Sequence, residues 1–239
     1  MFKNLLSAAV LFPVTAFAAV PEALVDLPLN EGDLKAVQDV SPSKAAVRIE
    51  NPEFISWEEG PQGKALAFAN SDGPVKRGRV LVKIPARLDI AKGISFVCSF
   101  KTANKFARKR IYPLFRYSDA HQKSNGIFIF CFYHKIYVRT GVDGKQSDLV
   151  TNTAKTPLKA DTWYRLAITY DGKTLSVWLD GKLAAAKEVQ LQKPKKISFA
   201  MLGSTGDKYG YGFDGILSQV KIFDRALTPD EVTTLQTEE

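Results

Sequence analysis

The fold is decided by residues 161–181, which read DTWYRLAITYDGKTLSVWLDG. Within this stretch, Leu175, Val177 and Leu179 occupy every second position and alternate with Thr174, Ser176 and Trp178. A period of two predicts a β-strand with one buried face. Each of the two Asp-Gly pairs supplies a glycine that accepts positive φ beside an Asp that can bond its own backbone, which favours a turn. Trp163 opens the first of the two strands, and we expect its side chain to be mostly buried.

Asp-Gly pairs recur outside this stretch and separate further short apolar segments. No helical pattern lies between those segments, so they indicate an antiparallel sandwich rather than alternating β and α units. Residues 30–62 have weak periodicity and several prolines, and we expect them to cross the outside of the sandwich as irregular chain. The pairs are Asp72-Gly73, Asp143-Gly144, Asp171-Gly172, Asp180-Gly181 and Asp214-Gly215. The predicted strands are 66–68, 80–84, 94–100, 113–116, 127–133, 136–139, 164–170, 173–179, 197–202 and 213–223.

One segment near the C-terminus is helical in pattern. Thr228-Pro229-Asp230-Glu231 places a capping hydroxyl, a proline at the first helical position and a Glu three residues after the cap. This capping box predicts a short helix to about Leu235 that serves as a lid or terminal plug. The expected fold class is therefore all-β, an antiparallel β-sandwich with a short C-terminal helix.

Composition is that of an ordinary soluble globular protein. The 239 residues include 45% hydrophobic and 24% charged side chains, which excludes collagen, coiled coil and wholesale disorder. All-β sandwiches of about 200–250 residues commonly form one domain. The formal net charge of +8 would favour an anionic partner if the excess cations were clustered.

The N-terminus has the pattern of a cleaved secretion signal. Lys3 is followed by an apolar run from Leu5 to Phe17 and by Ala16-Phe17-Ala18, with small residues where a signal peptidase cleaves. We expect residues 1–18 to be a signal peptide and residues 19–239 to form one exported domain, periplasmic or extracellular. The apolar run is shorter than a membrane span needs, so we expect no membrane anchor.

Several stretches together resemble the laminin-G-like, concanavalin A-like lectin/glucanase jelly-roll domains of exported bacterial proteins. The resemblance covers essentially all of residues 19–239 and implies a jelly-roll β-sandwich. It implies no cofactor, although a single Ca²⁺ held by loop carbonyls and Asp side chains would be similar to the family. Family members usually carry acidic residues where this chain has Ser218-Gln219, and the strand from Ile94 lacks their Trp, so no calcium or ligand residue is carried over. The matching stretches are 161–172, 177–182, Leu202-Gly203, 213–223 and 224–232, and more loosely 25–29, 37–41, 63–68 and 93–100.

The sequence offers little for catalysis or for metal binding. Hydrolases on this fold resemble one another in a Glu-x-Asp-x-x-Glu strand, which is absent, and Glu58-Glu59 is an adjacent pair expected in a solvated loop. Lyases on the fold need Tyr, His and Arg together, whereas we expect His121 in a polar turn and His134 at a hairpin position. No zinc spacing or EF-hand occurs.

Cys98 and Cys131 are the chain's two cysteines, and each lies in a predicted strand. An exported protein can form a disulfide, but a buried free thiol also serves as a small hydrophobe. We favour two buried free thiols and leave the disulfide open.

Two cationic clusters stand out. One contains Lys101, Lys105, Arg108, Lys109 and Arg110, and the other contains Lys193, Lys195 and Lys196. A solvated loop explains either cluster, but residues 105–110 also provide a candidate polyanion contact, made by Lys105, Arg108, Lys109 and Arg110. Nucleic acid is not expected as a partner, since the chain is predicted to be exported and has no nucleic-acid motif.

The loop Gly203–Gly212 is the best candidate for ligand binding. Four glycines cannot bury two tyrosines by regular strand packing, and tyrosine rings beside a carboxylate suit a sugar. The candidate ligand-binding residues are Asp207, Lys208, Tyr209 and Tyr211. The alternative is that the rings fold back on the rim of the sandwich.

These observations predict an exported, non-catalytic binding module that recognises a carbohydrate, for which an anionic polysaccharide is one candidate. The alternative is a protein-interaction or structural module of the cell envelope or matrix, indicated by a large exposed apolar patch. A glycoside hydrolase or polysaccharide lyase on the same fold is the lesser alternative.

Overall fold

The computed structural model describes residues 21–70, 76–102, 110–119, 125–152, 157–206 and 210–237. The predicted signal peptide, Asp72-Gly73 and His121 lie outside the described residues. The described chain forms fifteen β-strands and one α-helix. They are β1 (Val25–Leu27), β2 (Val47–Glu50), β3 (Ile55–Gly60), β4 (Gly63–Ala69), β5 (Arg79–Lys83), β6 (Ile94–Thr102), β7 (Tyr112–Ser118), β8 (Gly126–Phe132), β9 (Lys135–Val142), β10 (Lys145–Val150), β11 (Trp163–Tyr170), β12 (Thr174–Leu179), β13 (Lys182–Glu188), β14 (Phe199–Leu202), β15 (Asp214–Phe223) and α1 (Pro229–Thr237).

The strands form two antiparallel sheets that pack face to face as a jelly-roll β-sandwich. The eight-stranded sheet has the order β13-β12-β11-β6-β15-β4-β3, with β1 also paired to β15. The seven-stranded sheet has the order β10-β9-β8-β7-β14-β5-β2. Phe96 of β6 and Phe115 of β7 meet across the core with ring centroids 4.6 Å apart. The predicted all-β class and sandwich architecture are confirmed.

The turns follow the predicted Asp-Gly chemistry at three of the described positions. Asp180-Gly181 joins β12 to β13 with φ of 49° and 75°, and Asp143-Gly144 joins β9 to β10 in the same way. Asp171-Gly172 lies between β11 and β12. The prediction is wrong at Asp214-Gly215, which begins strand β15 instead of forming a turn. There the backbone of Gly215 lies against that of β6, since a Cβ would lie 2.2 Å from the carbonyl oxygen of Lys101.

The expectation of irregular chain over residues 30–62 is also wrong. This region contains β2 and β3, which pair with β5 and β4 at the ends of the two sheets. Both are edge strands with mostly half-buried or exposed side chains, so their apolar alternation is weak. Glu58 and Glu59 accordingly lie in β3 and not in a solvated loop.

Trp163 is half-buried and lies on the outer face of the eight-stranded sheet, contrary to our expectation of a mostly buried side chain. Along β11, Tyr164, Leu166 and Ile168 enter the core between the sheets. Trp163 has the opposite parity and packs on an outer cluster formed by Ala65, Ala67 and Ile216.

The C-terminal helix covers another part of the same outer face. Val232 is buried and Leu235 packs against the outward side chains of the sheet, among them Val97, Ala167, Trp178 and Phe223. The predicted capping box is present, with the Glu231 N–H donating to Thr228 Oγ1 at 3.3 Å and the Thr228 N–H donating to Glu231 Oε2 at 2.8 Å. The helix thus plugs the outer face of the eight-stranded sheet. No helix of the described residues is long and apolar enough to cross a membrane.

Candidate functional site

The loop Gly203–Gly212 connects β14 of one sheet to β15 of the other, at one end of the sandwich. Its stem is closed by two hydrogen bonds between Thr205 and Tyr211. The Thr205 N–H donates to Tyr211 O at 3.0 Å, and the Tyr211 N–H donates to the side-chain Oγ1 of Thr205 at 2.9 Å. Tyr211 is half-buried. The other three candidate residues of this loop, Asp207, Lys208 and Tyr209, lie outside the described residues. The stem therefore holds Tyr211 at a fixed place on the rim.

Two glycines of the loop are needed because the stem packs tightly against its neighbours. A Cβ at Gly203, whose φ is 80°, would lie 2.3 Å from the ring of Phe68. A Cβ at Gly212 would lie 2.5 Å from the Cβ of Asn70 and 2.9 Å from the Cδ of Arg77. These two glycines therefore allow the loop stem to pack closely against Phe68, Asn70 and Arg77. The sequence analysis had assigned the glycines to ligand binding and did not predict this structural role.

Asn70 joins this loop to two arginines. Its buried side chain donates through Nδ2 to Gly203 O at 3.0 Å and to Gly78 O at 2.9 Å. Its backbone carbonyl accepts from Arg77 Nη1 at 3.1 Å and also from Arg110 Nη2. Arg110 Nη2 also lies 3.5 Å from the carbonyl oxygen of Gly212. The structure thus brings together two regions that the sequence treated separately, the Tyr211 loop and the end of the cationic stretch.

Two further arginines lie against the same loop. The Arg116 side chain is buried, donating through Nη1 to Thr205 O and through Nε to Ser118 Oγ at 3.1 Å. Arg79 lies on the other side, where a Cβ at Gly206 would be 2.8 Å from its Nη1. Arg79 is paired with Glu50, its Nε lying 2.7 Å from Oε2, so its charge is compensated.

We call Arg77, Arg110 and Arg116, together with the loop Gly203–Gly212, the arginine rim. The three guanidinium groups are protonated at all working pH values. The rim therefore places three cationic side chains around the loop that holds Tyr211. Arg110 also lies over the Tyr112 ring, 5.2 Å from its centroid, which orients the guanidinium plane.

Sequence reasoning identified only part of this site. Of the candidate polyanion contact, Arg110 is described and reaches the loop, while Lys105, Arg108 and Lys109 lie outside the described residues. Arg77 and Arg116 were not predicted, although Lys76-Arg77-Gly78-Arg79 is a basic run that could have been noticed. Arg116 carried no such signal, because it lies within the apolar strand β7.

The second cationic cluster is tied to local acceptors. Lys195 Nζ lies 3.3 Å from Asp143 Oδ1, and Lys193 Nζ donates to Ala86 O at 3.2 Å. The backbone N–H groups of Lys195 and Lys196 donate to Asp119. These contacts favour the interpretation of this cluster as a solvated loop.

The described residues do not assemble a metal site. No group of three or more His, Cys, Asp or Glu side chains that could hold a metal ion occurs among them. Glu58 shares a recess of about 230 Å³ with Asp161, Asp214 and Lys101, and Lys101 Nζ lies 3.1 Å from Asp161 Oδ1. An acidic recess containing a paired lysine suits a structural ion pair.

The described histidine and the two cysteines have structural surroundings. His134 occupies the two-residue turn between β8 and β9 with φ of 60°, as predicted, and its Nδ1 lies 2.8 Å from Leu158 O. Cys98 and Cys131 are buried free thiols, one on each sheet. Burial raises the pKa of each thiol, so neither is a reactive thiolate at neutral pH.

Comparison with solved structures shows the same sandwich in several binding domains. The binding domain of Paraclostridial Mosquitocidal Protein 1 aligns with a TM-score of 0.72 and 15% identity, over 90% of this chain and 52% of that chain. The botulinum neurotoxin serotype D binding domain aligns with a TM-score of 0.66 and 14% identity, over 90% and 51% of the two chains.

A third structure contains a ligand, the binding domain of botulinum neurotoxin DC in complex with SialylT. It aligns with a TM-score of 0.67 and 15% identity, over 90% of this chain and 51% of that chain. The chain spans about half the length of these binding domains, and at such low identity the likeness shows the fold.

Comparison with curated proteins gave no match. The family model described as the concanavalin A-like lectin/glucanases superfamily matches residues 82–233, which is more than half of the chain. This segment runs from β5 to α1 and includes the loop Gly203–Gly212 and most of both sheets. Together with the observed jelly-roll sandwich, the match shows that the chain belongs to the concanavalin A-like lectin/glucanase superfamily.

Proposed function

We propose that the chain is an exported, non-catalytic binding module that recognises an anionic carbohydrate at the arginine rim. The observation that carries the proposal is the convergence of Arg77 and Arg110 on Asn70 beside the stem that holds Tyr211. Residues 1–18 would be its signal peptide, and its place of action would be the periplasm or the extracellular space.

The chemistry of the rim fits such a ligand. A guanidinium group presents several N–H donors in one plane and can bind a carboxylate or sulfate group through two hydrogen bonds. Tyr211 adds a flat ring with a polar tip, which is suited to a sugar. Without Lys3 of the signal peptide the chain keeps a formal charge of +7, which would also attract a polyanion over distances of about 10 Å at about 0.1 M salt.

The comparisons support binding rather than catalysis. The three aligned structures described above are titled as binding domains, and one of them is a complex with SialylT. Since one fold can host several functions, the argument for this chain depends on the rim itself. The described exposed large hydrophobic residues are Val40, Tyr133 and Leu183, from three separate elements, which gives less support to a protein-interaction surface.

Affinity electrophoresis of the purified protein tests the proposal, with polygalacturonate and dextran sulfate as anionic probes and unmodified dextran as the neutral probe. We expect retardation by one or both anionic gels and less retardation as salt is added. Arg110→Gln should weaken binding about tenfold or more, because a lost charge-assisted hydrogen bond costs roughly 1.5–3 kcal/mol. Tyr211→Ala should also weaken it.

Two matched variants control for charge and for ring loss elsewhere. Lys195→Gln removes an exposed cation outside the rim, and Tyr133→Asn removes an exposed aromatic ring from a turn. Both should bind like the parent. If Arg110→Gln and Lys195→Gln weakened binding equally, the loss of affinity would follow from the lower net charge alone. That result would contradict a site at the rim. Absence of retardation in every gel would contradict recognition of anionic carbohydrate.

A further inference from the structure

The two sheets meet at one side of the sandwich through the edge strands β10 and β13. In the described sheets, β10 pairs with β9 alone and β13 pairs with β12 alone. Lys187 of β13 crosses the gap and donates through Nζ to Ser147 Oγ at 2.9 Å and to Asp148 O at 3.3 Å. Next to this contact lies a recess of about 660 Å³ between residues 145–147 and residues 188–190. The side of the sandwich is therefore open beside an edge strand.

The backbone of β10 presents hydrogen-bonding groups to this open side. The Thr151 N–H donates to Ile136 O at 3.0 Å, so residue 151 and every second residue before it bond to β9. The N–H and C=O groups of residues 146, 148 and 150 therefore point away from β9. The bond from Lys187 to Asp148 O agrees with this direction, because Lys187 approaches from the other sheet. Outward backbone groups of an edge strand are a template on which another extended chain can pair.

The charges around the recess favour an acidic occupant. Both carboxylates that line it are paired with lysines, Asp143 with Lys195 at 3.3 Å and Glu188 with Lys173 at 2.9 Å. Lys145 is exposed in the wall of the recess, and Lys187 donates to neutral oxygen atoms. The four lysines outnumber the two carboxylates, so this side of the sandwich carries a net positive charge.

Part of the recess wall is apolar. Val142 of β9 and Val189, which follows β13, are half-buried and line it. Successive side chains of an added strand would point alternately toward the gap between the sheets and away from it. Small apolar side chains on the inward face could contact the two valines. A segment in which small apolar and acidic residues alternate therefore suits both the wall and the charge.

We propose that β10 accepts an extended, acidic segment of a partner protein as an added strand. Main-chain hydrogen bonds to residues 146, 148 and 150 would hold the segment, and Lys145 and Lys187 would favour carboxylates on it. Lys187 would exchange its bond to Asp148 O for one to such a carboxylate. This site does not depend on the function proposed for the arginine rim, because it uses other residues and binds a peptide chain.

Fluorescence anisotropy with a labelled acidic peptide tests the site. The probe is Glu-Val-Glu-Val-Glu-Val-Glu, labelled with fluorescein at its N-terminus and amidated at its C-terminus. The charge control is the peptide in which every Glu is replaced by Lys. We expect saturable binding of the acidic peptide by the full chain and weaker binding of the basic one.

Two N-methylated forms of the acidic peptide separate strand pairing from charge. One is methylated at the valine nitrogens and the other at the nitrogens of the internal glutamates. Only alternate N–H groups of an added strand face the neighbouring strand. One form should therefore bind like the unmethylated peptide, and the other about tenfold more weakly or less.

Proline substitutions locate the added strand. Gln146→Pro removes an outward N–H and leaves the bonds between β10 and β9 in place, so it should weaken binding about tenfold. Ala186→Pro is the matched control, because Ala186 has the same outward direction on the other edge strand, β13. It should bind the peptide like the parent. Arg110→Gln should also bind like the parent, which separates this site from the arginine rim.

The outcomes that overturn the proposal are distinct from failure at the rim. It is overturned if the acidic peptide does not bind, or if the two N-methylated forms bind the parent protein equally. It is also overturned if Gln146→Pro and Ala186→Pro, both folded by thermal melting, bind with the same affinity. Loss of peptide binding in Arg110→Gln would place the peptide at the arginine rim and would likewise overturn it.

Discussion

Glu231 should link the stability of the C-terminal helix to pH. Its carboxylate accepts two hydrogen bonds from Arg225, with Nη2 2.6 Å from Oε1 and Nη1 2.8 Å from Oε2. Hydrogen bonds from Arg225, and then from the Thr228 N–H, lower the pKa of Glu231 from 4.5 to about 2. The helix that begins here covers the outer face of the eight-stranded sheet through Val232. Removing the charge should therefore loosen the helix and its contact with the sheet.

The magnitude follows from the pKa of Glu231 in the two states. The interval from 4.5 to about 2 corresponds to about 3.4 kcal/mol at 1.36 kcal/mol per pH unit. The Arg225 side chain is 45% exposed, and solvent screening reduces the effect, so we expect Glu231→Gln to cost about 1–2 kcal/mol at pH 7. The folded-state pKa lies below the unfolded value. The stabilisation is thus full above pH 4.5 and is lost as the pH falls from 4.5 toward 2.

Chemical denaturation of the parent and variant at pH 7 and pH 3 measures this contribution. Less than half of the difference in unfolding free energy should remain at pH 3. Glu231→Gln keeps an amide oxygen that can cap Thr228, whereas Glu231→Ala also removes the cap and should cost about 1 kcal/mol more. Glu59→Gln, which removes an exposed carboxylate paired with Lys64, should change stability little. An equal destabilisation by Glu231→Gln at both pH values would refute the reasoning.

Three further changes test the fold. Trp163→Ala should lower the unfolding free energy by about 1–2 kcal/mol, whereas Phe96→Ala in the core should lower it by about 3–5 kcal/mol. Equal losses in chemical denaturation would show that Trp163 lies in the core between the sheets. Although burial raises the pKa of Asp39, the N–H groups of Asp26, Ala45 and Ser41 offset this and lower it overall, so Asp39→Asn should cost about 2–3 kcal/mol at pH 7 and less in acid. Gly212→Ala should reduce the melting temperature and polygalacturonate binding together, since its Cβ would meet Arg77; a change in neither would show that the loop stem is loosely packed.

The strands that sequence predicted well are those with one apolar side. β12 begins one residue later than the predicted span of 173–179 and ends with it. The prediction succeeds here because the neighbours of β12 cover Leu175, Val177 and Leu179 while its other face remains half-buried. β13 was missed because its side chains are mostly exposed, including Leu183 at 54%, and so it shows no alternation. Edge strands are held chiefly by backbone hydrogen bonds to one neighbour. Since nearly every residue type can form these bonds, the sequence does not reveal them.

The candidate site was predictable in its parts but not in its assembly. The glycines and Tyr211 predicted a binding loop, and the cationic cluster that ends at Arg110 predicted a contact with a polyanion. Arg110 meets Asn70, which is 40 residues away in the sequence, and Gly212, which is 102 residues away. Such contacts depend on which strands become neighbours, and strand order in a sandwich is fixed by packing of the whole core. Arg116 shows the same limit, because a buried arginine is tolerated in β7 only where Thr205 O and Ser118 Oγ can receive its N–H groups.

Trp163 differs from these cases, because its outward position was already present in the sequence. Side chains of a strand alternate between its two faces. In β11 the even-numbered residues Leu166 and Ile168 are buried, so Trp163 lies on the opposite face together with Arg165. The expectation of burial followed residue size rather than position. A large aromatic ring on an outward face, next to an arginine and followed by an Asp-Gly turn, is costly to expose to water unless something packs on it. Ala65, Ala67 and Ile216 pack on part of the ring, and Lys101 Nζ lies 5.9 Å from the centroid of the ring. The same alternation that buries one face of β11 therefore also places this ring and its partners on the outer face of the sheet.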